Sequence, residues 1–342
     1  MEPKEKPVDL LSIDPMNDEK IQRLVEKYDA ESRYRRLSGL PGKLVTLLLA
    51  GMSLFHLYTA GIGILPITIQ RAVHLTFAIV AVYLLYPMTQ KGSKTQTPWY
   101  DWVLAAASLV AVGYIAVFFN DIARRGAEPI GYELWLGALA MVLVLEAGRR
   151  VVGNVLPVMS LLFLSYCYYG AYAPGMFQIR GYSVSRIIQH MYLTPEGIFG
   201  VALGVSATFV ITFIIFGAFL GKSGGARFFN ELALALAGSR PGGPAKVAVV
   251  ASGLLGTING SSVANVATTG TFTIPLMKRV GYKPEYAGAV EACASTGGQL
   301  MPPIMGAGAF IMSEFLGMSY LRIAAAAALP AVLYYTAIFV NV

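Results

Sequence analysis

Apolar runs long enough to cross a lipid bilayer recur along most of the chain. A helix needs about 20 predominantly apolar residues to span the hydrocarbon core. By this criterion we predict six spans, over residues 44–65, 72–86, 102–119, 133–147, 151–172 and 201–220. The run 182–193 keeps its apolar side chains on one helical face, so we predict a helix lying in the membrane interface. The pattern therefore predicts an all-α, polytopic transmembrane protein.

Composition supports this class. Of the 342 residues, 56% are hydrophobic and 13% are charged, whereas a soluble domain has about 25% charged residues. Residues 1–43 concentrate nine Lys/Arg and nine Asp/Glu, so they form a polar tail ahead of the first span. The net charge of +7 is not gathered on a soluble face, and we expect no nucleic-acid partner. Cys167 and Cys293 lie in separate apolar runs, which excludes a disulfide framework.

Basic residues between the predicted spans set the orientation, because cytoplasmic loops are enriched in Lys and Arg. If the tail is cytoplasmic, the segments on its side carry Arg33, Arg35, Arg36, Lys43, Lys91, Lys94, Arg149, Arg150, Lys222, Arg227, Arg240 and Lys246. The opposite segments carry only Arg71, Arg124, Arg125, Arg180 and Arg186. We therefore predict a cytoplasmic N-terminus. Residues 23–36 form either a short amphipathic helix at the membrane surface or part of a solvated tail.

The uncharged stretch 247–277 departs from simple crossing. The segment before it is already cytoplasmic, and Lys278, Arg279 and Lys283 follow it, so the stretch crosses an even number of times. Its 31 residues are too few for two full crossings, which need about 40. We therefore predict a re-entrant helical hairpin that turns at the polar, glycine-bearing sequence GTINGSSVAN, residues 256–265.

A second interruption follows in the apolar stretch 285–315. Its centre, STGGQLMPP over 295–303, contains two glycines and two prolines, which remove helical hydrogen bonds. We predict a broken helix with halves at 285–294 and 304–315. The final run, 321–342, begins another crossing with no polar exit, so we expect the reading frame to continue into a second hairpin and a second broken helix.

A hairpin tip close to a broken helix is the best sequence pointer to a transporter binding site. Half-helix N-termini suit a carboxylate, and freed carbonyls, hydroxyls and amides suit Na⁺. The candidate Na⁺ ligands are Thr257, Asn259, Gly260, Ser261, Ser262, Asn265, Thr296, Gly297 and Gly298. Because we place no Lys or Arg in a membrane core, this half of the site cannot bind an anion by charge alone. The alternative is that Gly-Ser-Ser only mediates close helix packing.

Glu291 lies two turns into its half-helix, where it either joins a proton or cation path or is an interfacial carboxylate facing cytoplasmic water. A channel needs a filter repeated by symmetry, and the chain has one hairpin. An enzyme needs positioned acid–base or nucleophilic groups, and we find no such cluster in the spans. We therefore expect a non-enzymatic protein without a cofactor.

The tip sequence 256–265 and the motif EACASTGGQLMPP over 291–303 resemble the large membrane subunit of tripartite ATP-independent periplasmic (TRAP) transporters. The four preceding spans resemble the small membrane subunit, fused in front as in the branch that works with TAXI-type binding proteins. The implied domains are a cytoplasmic tail at 1–43, a small-subunit-like four-helix domain at 44–150 and the first repeat of a large-subunit-like transport domain at 151–342.

The resemblance implies a Na⁺-driven elevator symporter for small organic acids in the bacterial inner membrane, fed by a periplasmic TAXI-type binding protein. Substrate contacts are then expected at Asn259, Ser261, Gln299 and Pro302. The chain departs from the family by lacking the second of the two inverted repeats. The alternatives are another Na⁺/carboxylate elevator symporter, which takes free substrate without a binding protein, and a non-functional fragment.

Overall fold

The structure, a computed structural model, describes residues 34–63, 65–89 and 92–342, and within these ranges it contains helices and no strands. The alternatives for 23–36 therefore fall almost wholly outside the described residues. The first part of the chain forms α1 (Gly39–Gly61), α2 (Ile67–Leu85), α3 (Trp99–Arg124), α4 (Gly131–Val152), α5 (Val155–Tyr169) and α6 (Val184–Ile188), which continues as a π turn over Gln189–Leu193.

The second part contains the predicted interruptions. Its helices are α7 (Val201–Val205), α8 (Ile211–Lys222), α9 (Gly225–Ala237), α10 (Gly243–Asn259), α11 (Ser262–Arg279), α12 (Pro284–Thr296), α13 (Ala307–Leu316) and α14 (Tyr320–Asn341). A π turn, Ser206–Val210, joins α7 to α8. The predicted helices exist with ends shifted by a few residues, because apolarity marks the membrane-embedded part of a helix and not its capped ends.

Six helical segments of the described chain are long and apolar enough to cross a membrane: Gly39–Gly61, Ile67–Leu85, Trp99–Arg124, Val155–Tyr172, Val201–Lys222 and Tyr320–Asn341. This confirms the predicted class of polytopic helical membrane protein. Helix α4 has 22 residues but carries two acidic and two basic residues and is not among the six. The span predicted at 133–147 therefore forms a helix, and its crossing stays a prediction.

The chain divides into two compact units, Met1–Gly51 with Ala72–Ile198, and Met52–Arg71 with Phe199–Val342. We call these the first and second units. Helices α1 and α2 each contribute residues to both units. This division by packing does not coincide with the predicted boundaries at 43/44 and 150/151, which were placed from charge and resemblance.

A buried carboxylate organises the first unit. Asp101, at the start of α3, accepts hydrogen bonds from Arg35 Nη2 at 2.6 Å and Arg150 Nη1 at 2.7 Å. All three side chains are fully buried. Arg35 also donates to the carbonyl oxygens of Tyr83 and Leu84 at the end of α2. A buried carboxylate needs such pairing to offset its lost hydration, so Asp101 ties together the ends of α2, α3 and α4.

In the second unit, the π turn at 206–210 has a specific partner. A π turn disturbs the regular backbone hydrogen-bond ladder, and Gln70 donates its side-chain amide to the Ala207 carbonyl oxygen at 3.0 Å. Next to Gln70, Arg71 donates to the Phe199 carbonyl oxygen at 2.8 Å. The guanidinium lies directly against Gly204, where any side-chain carbon would overlap it.

The position of Arg71 corrects the sequence analysis. We placed it in a loop ahead of the second span, but it lies inside α2 and is 8% exposed. Arg71 therefore belongs to a helix long and apolar enough to cross a membrane, and its depth in the bilayer stays a prediction. The error arose because a charge lowers the local hydropathy, whereas the helix accommodates Arg71 by packing it on a glycine.

The predicted helical hairpin is present in the second unit as α10 and α11. Helix α10 is rich in Ala, Gly and Val and is buried along most of its length, because small residues let neighbouring helices approach closely. It packs with α11, α12 and α14 around a core of Ala245, Ala248, Val249, Met277, Ala287, Val290, Ala294 and Tyr335. The depth at which the hairpin turns in the bilayer stays a prediction.

The orientation of the hairpin can be tested by labelling. Arg240 and Val280 flank it, and both are exposed, whereas Ala245 is buried and unsuitable for labelling. After replacement of Cys167 and Cys293, single cysteines from Arg240→Cys and Val280→Cys are expected to react with an impermeant maleimide from the cytoplasmic side only. Labelling of the two positions from opposite sides would show that the stretch crosses once and would eliminate the re-entrant hairpin.

Candidate functional site

The tip of the hairpin is a tight turn between two helix ends. Helix α10 ends at Asn259, and Gly260 follows in the left-handed region with φ +56°, which glycine adopts without steric cost. Ser261 then caps α11, accepting a hydrogen bond from the Ala264 amide at 3.3 Å. The Asn259 side-chain oxygen accepts the Ser261 amide at 3.4 Å. The tip is thus held by its own polar residues.

The predicted broken helix is also present. Helix α12 ends at Thr296, a 3₁₀ turn covers Gly297–Gln299, and helical structure resumes with α13 at Ala307. The predicted halves, 285–294 and 304–315, are each displaced by two or three residues at the break. Gly297 is buried against α14, where a side-chain carbon would overlap the Tyr334 ring. Only a glycine allows this approach.

The hairpin tip and the break touch each other through backbone and side chains. The Gln299 side-chain amide donates to Ser262 Oγ at 3.1 Å, and the Ile304 amide donates to the Thr257 carbonyl oxygen at 3.4 Å. Gly260 lies so close to Met305 that a side-chain carbon on it would overlap the Met305 carbonyl oxygen. The two interruptions that the sequence predicts separately therefore form one structural feature. We call this place, where the hairpin tip and the broken helix meet, the crossing; from here on the word does not mean a passage through the membrane.

Gly256 and Gly298 form a second close backbone contact within the crossing. A side-chain carbon on Gly298 would lie 2.9 Å from Gly256 Cα and 3.0 Å from Asn265 Nδ2. A side-chain carbon on Gly256 would likewise overlap Gly298 Cα. Real side-chain carbons essentially never approach other atoms this closely, so the two glycines set the separation between α10 and the turn after α12.

Asn265 carries the unpaired group of the crossing. Its side chain is fully buried, and its Nδ2 donates to the Ser252 carbonyl oxygen at 2.8 Å. Its Oδ1 is buried without a hydrogen-bond partner. A buried amide oxygen without a partner costs free energy, and an amide oxygen is a hard ligand for a cation such as Na⁺. Of the nine candidate ligands, Asn265 is therefore the one whose geometry favours an additional bound partner.

The other candidate side chains are differently placed. Thr257 Oγ1 donates to the Leu254 carbonyl oxygen at 2.6 Å, and Thr296 Oγ1 donates to the Ala292 carbonyl oxygen at 2.7 Å. Each hydroxyl therefore uses its hydrogen within its own helix, although its lone pairs stay available. Thr296 is exposed, and Pro302, in the non-helical segment before α13, is half-buried.

Four helix ends meet at the crossing. The C-terminal ends of α10 and α12 meet through Gly256 and Gly298, and the N-terminal ends of α11 and α13 meet through the contact of Gly260 with Met305 and Gly306. Helix C-termini present partly negative carbonyl groups, and N-termini present partly positive amide groups. The arrangement therefore places partly negative carbonyl groups beside partly positive amide groups.

The sequence allows two settings for Glu291, and the structure excludes one of them. The carboxyl is fully buried and accepts hydrogen bonds from Ser252, Thr269, Thr273 and Ser295. The alternative of an interfacial carboxylate facing water is therefore wrong. The hydroxyl partners lie on three helices, and no local sequence pattern indicates that they converge.

A helical hairpin and a broken helix that meet through their ends are the two features that point to a transporter binding site. The sequence profile described as "Tripartite ATP-independent periplasmic transporter, DctM component" matches residues 139–342. Since this is more than half of the chain, the chain belongs to that family. The resemblance noted from the tip and break motifs is thereby confirmed at the level of the large permease component.

Three relatives illustrate the similarity, each over a matched segment of 91 residues, or 27% of this chain. The C4-dicarboxylate TRAP transporter large permease protein DctM of Pseudomonas aeruginosa is 38% identical over 21% of its length. The isethionate TRAP transporter permease protein DctMQ of Oleidesulfovibrio alaskensis is 36% identical over 14% of its length. The uncharacterized protein YgiK of Salmonella typhimurium is 35% identical over 21% of its length.

The matched segment thus covers about a fifth or less of each of these relatives. No solved structure matches the chain. The comparisons therefore identify the family, while the activity, substrate class, coupling ion and partners of this chain are matters for proposal.

Proposed function

We propose that this chain is the membrane permease component of a Na⁺-coupled secondary transporter that imports small organic acids delivered by a periplasmic binding protein. The observation that carries the proposal is the crossing of the hairpin tip with the broken helix. There the Asn265 amide oxygen is buried without a partner, and four helix ends converge. The proposed Na⁺ ligands are those of the sequence analysis, with Asn265 and Ser262 as the principal side chains.

The chemistry of the crossing supports sodium as the coupling ion. Na⁺ is a hard cation that prefers oxygen ligands, and the crossing offers hydroxyls, an amide oxygen and helix C-terminal carbonyls. In the described residues, the hydrogen bonds of the candidate side chains involve no Lys or Arg side chain. A cation therefore meets no fixed positive charge at this point.

The class of substrate follows from the N-terminal helix ends. The amides at the starts of α11 and α13 suit a carboxylate, and the polar side chains of Asn259, Ser261 and Gln299 lie beside them. Two of the three named relatives carry C4-dicarboxylate and isethionate in their names, and both are small organic anions. We infer a small organic acid as the substrate.

The membership of the TRAP family supports a periplasmic binding protein as partner. We further propose the TAXI type for this partner, a fused small-subunit-like part over 44–150, an elevator mechanism and a bacterial inner-membrane location with the N-terminus in the cytoplasm. The cytoplasmic N-terminus follows from the positive-inside pattern, and the other points are what the resemblance to the TRAP family implies. Dependence of uptake on a soluble binding protein separates this proposal from a symporter that takes free substrate.

Sodium dependence of uptake tests the proposal. In proteoliposomes of the transporter that contains this chain, Ser262→Ala is expected to raise the Na⁺ concentration for half-maximal uptake. Loss of one neutral ligand costs about 1–3 kcal/mol, which corresponds to a roughly 5- to 150-fold weaker affinity. Thr296→Ala is expected to act in the same direction. Delivery from the binding protein is expected to change little at saturating Na⁺.

Thr268→Ala is the matched control, since Thr268 lies on α11 and its hydroxyl donates to the Ala264 carbonyl oxygen at 2.7 Å. Thr268→Ala also removes one hydroxyl from α11, but from a position outside the crossing. The sodium dependence of uptake is therefore expected to stay as in the wild type. If Ser262→Ala and Thr296→Ala both leave the sodium dependence untouched, the crossing is a packing motif and the proposal fails.

A further inference from the structure

The carboxyl of Glu291 is surrounded by hydroxyl groups from three helices of the second unit. Ser252 on α10 donates to Oε1 at 3.3 Å, and Ser295, one turn further along α12, donates to Oε1 at 3.0 Å. Thr269 on α11 also contacts Oε1, and Thr273 contacts Oε2. We call these four residues the hydroxyl cage. It leaves the carboxyl fully buried.

No basic group neutralises this carboxyl within the described part of the chain, where the ion pairs involve other acidic residues. From α10 and α11, hydroxyls face it. From α14, Tyr335 is the titratable group that interacts electrostatically with the Glu291 carboxyl. The Tyr335 hydroxyl donates to the Ala294 carbonyl oxygen at 2.9 Å. The 3₁₀ turn after α12 contains only Gly297, Gly298 and Gln299. A buried charge without a partner is costly, so the cage itself must accommodate the carboxyl.

The two carboxyl oxygens have different surroundings. Oε1 is contacted by three hydroxyls, each able to donate one hydrogen. The Thr269 hydroxyl also has the Asn265 carbonyl oxygen as an acceptor at 2.8 Å, so Ser252 and Ser295 are the donors that remain at Oε1 in either case. Oε2 is contacted by Thr273 alone, and the Thr273 hydroxyl has a second acceptor, the Thr269 carbonyl oxygen at 3.0 Å. When the carboxyl is ionised, Thr273 can donate to Oε2. When Oε2 carries a proton, it can donate to Thr273, which then donates to the Thr269 carbonyl. Both states leave every group hydrogen-bonded.

The cage is linked to the crossing through one residue. Ser252 donates its hydroxyl to Glu291 Oε1, and its carbonyl oxygen accepts the Asn265 amide at 2.8 Å. Asn265 is the proposed Na⁺ ligand with the unpaired Oδ1. A negative charge on Glu291 would favour a cation at the crossing, and a cation there would favour the ionised carboxyl. Such effects between two sites are reciprocal.

We propose that Glu291 Oε2 is a proton-binding site linked to the sodium site, such that Na⁺ binding releases the Glu291 proton to water. The step is balanced: the protonated chain and Na⁺ give the Na⁺-bound, ionised chain and H⁺. Thr273 is a positioning residue that turns its hydroxyl between Oε2 and the Thr269 carbonyl. This inference rests on the proposed function, because it needs Na⁺ at the crossing.

The test counts protons released by Na⁺. The purified wild-type chain in lipid nanodiscs is titrated with NaCl, against choline chloride at constant ionic strength, by calorimetry in two buffers with different protonation enthalpies. We expect up to one proton released per Na⁺ and a Na⁺ affinity that rises with pH by at most about tenfold per pH unit. Glu291→Gln, which keeps the shape and cannot release a proton, is expected to bind Na⁺ without proton release and independently of pH.

Glu285→Gln is the matched control, since Glu285 lies exposed in the first turn of the same helix, and it is expected to behave like the wild type. Infrared difference spectra of the wild type give an independent measurement that needs no variant to fold. A protonated-carboxyl band is expected to disappear when Na⁺ is added. Na⁺ binding without proton release or band loss in the wild type overturns the inference, and so does equal proton release in Glu291→Gln. Absence of Na⁺ binding in the wild type overturns the proposed function itself, and the linkage with it.

Discussion

Gly256→Ala is expected to disrupt the crossing and to remove most Na⁺ binding by the second unit. A side-chain carbon at this position overlaps Gly298 Cα, so α10 and the turn after α12 must move apart. Overpacking of this kind costs about 1–3 kcal/mol. Because the displaced atoms belong to the backbone, they cannot yield by a change of rotamer. The measurement is the thermal unfolding of the purified chain, with and without Na⁺.

Gly288→Ala is the control for this substitution. Gly288 lies in α12, and a side-chain carbon there meets nothing within 4 Å. Alanine is the better helix former by about 1 kcal/mol, so Gly288→Ala is expected to preserve or raise the unfolding temperature and to keep the Na⁺ response. Replacement of glycine by alanine is thus expected to lower the unfolding temperature at position 256 and to preserve or raise it at position 288. A Gly256→Ala chain with wild-type stability and Na⁺ response would contradict the close contact on which the crossing depends.

Asn265→Ala is expected to weaken Na⁺ binding more than Ser262→Ala does. It removes the buried Oδ1 together with the hydrogen bond that Nδ2 donates to the Ser252 carbonyl oxygen. We expect a loss at the upper end of the range for a buried polar partner, about 150-fold in affinity. Calorimetric titration of the purified variant with NaCl measures this directly.

Asn341→Ala is a matched control for the loss of an asparagine. The Asn341 amide donates to the Ala337 carbonyl oxygen on α14 at 3.2 Å and is exposed, so its removal is expected to leave Na⁺ affinity unchanged. A Na⁺ affinity in Asn265→Ala within twofold of the wild type would show that the unpaired amide oxygen has another role.

The hairpin and the broken helix could be predicted from the sequence for physical reasons. The hairpin follows from basic residues on both sides of a stretch too short to cross twice. The break follows from the density of glycine and proline between residues 295 and 303. Both signals are local. The prediction that the two interruptions lie near each other rested on general transporter architecture, and the contact of Gln299 with Ser262 now describes it in atomic terms.

The hydroxyl cage could not be predicted in this way. Its hydroxyls at Ser252, Thr269 and Thr273 lie 39, 22 and 18 positions from Glu291, and each residue alone is an ordinary serine or threonine in a helix. Their convergence depends on the packing of α10, α11 and α12. Arg71 was misplaced for a related reason, since its burial depends on the absence of a side chain at the distant Gly204.

Sodium-dependent stabilisation of the wild-type chain tests most directly the claim that the crossing is a cation site. A ligand at 100 times its dissociation constant stabilises the folded state by about 2.7 kcal/mol. We predict a saturable rise in unfolding temperature with NaCl that choline chloride at equal ionic strength does not produce and that Ser262→Ala with Asn265→Ala abolishes. An equal response to the two salts would contradict the account.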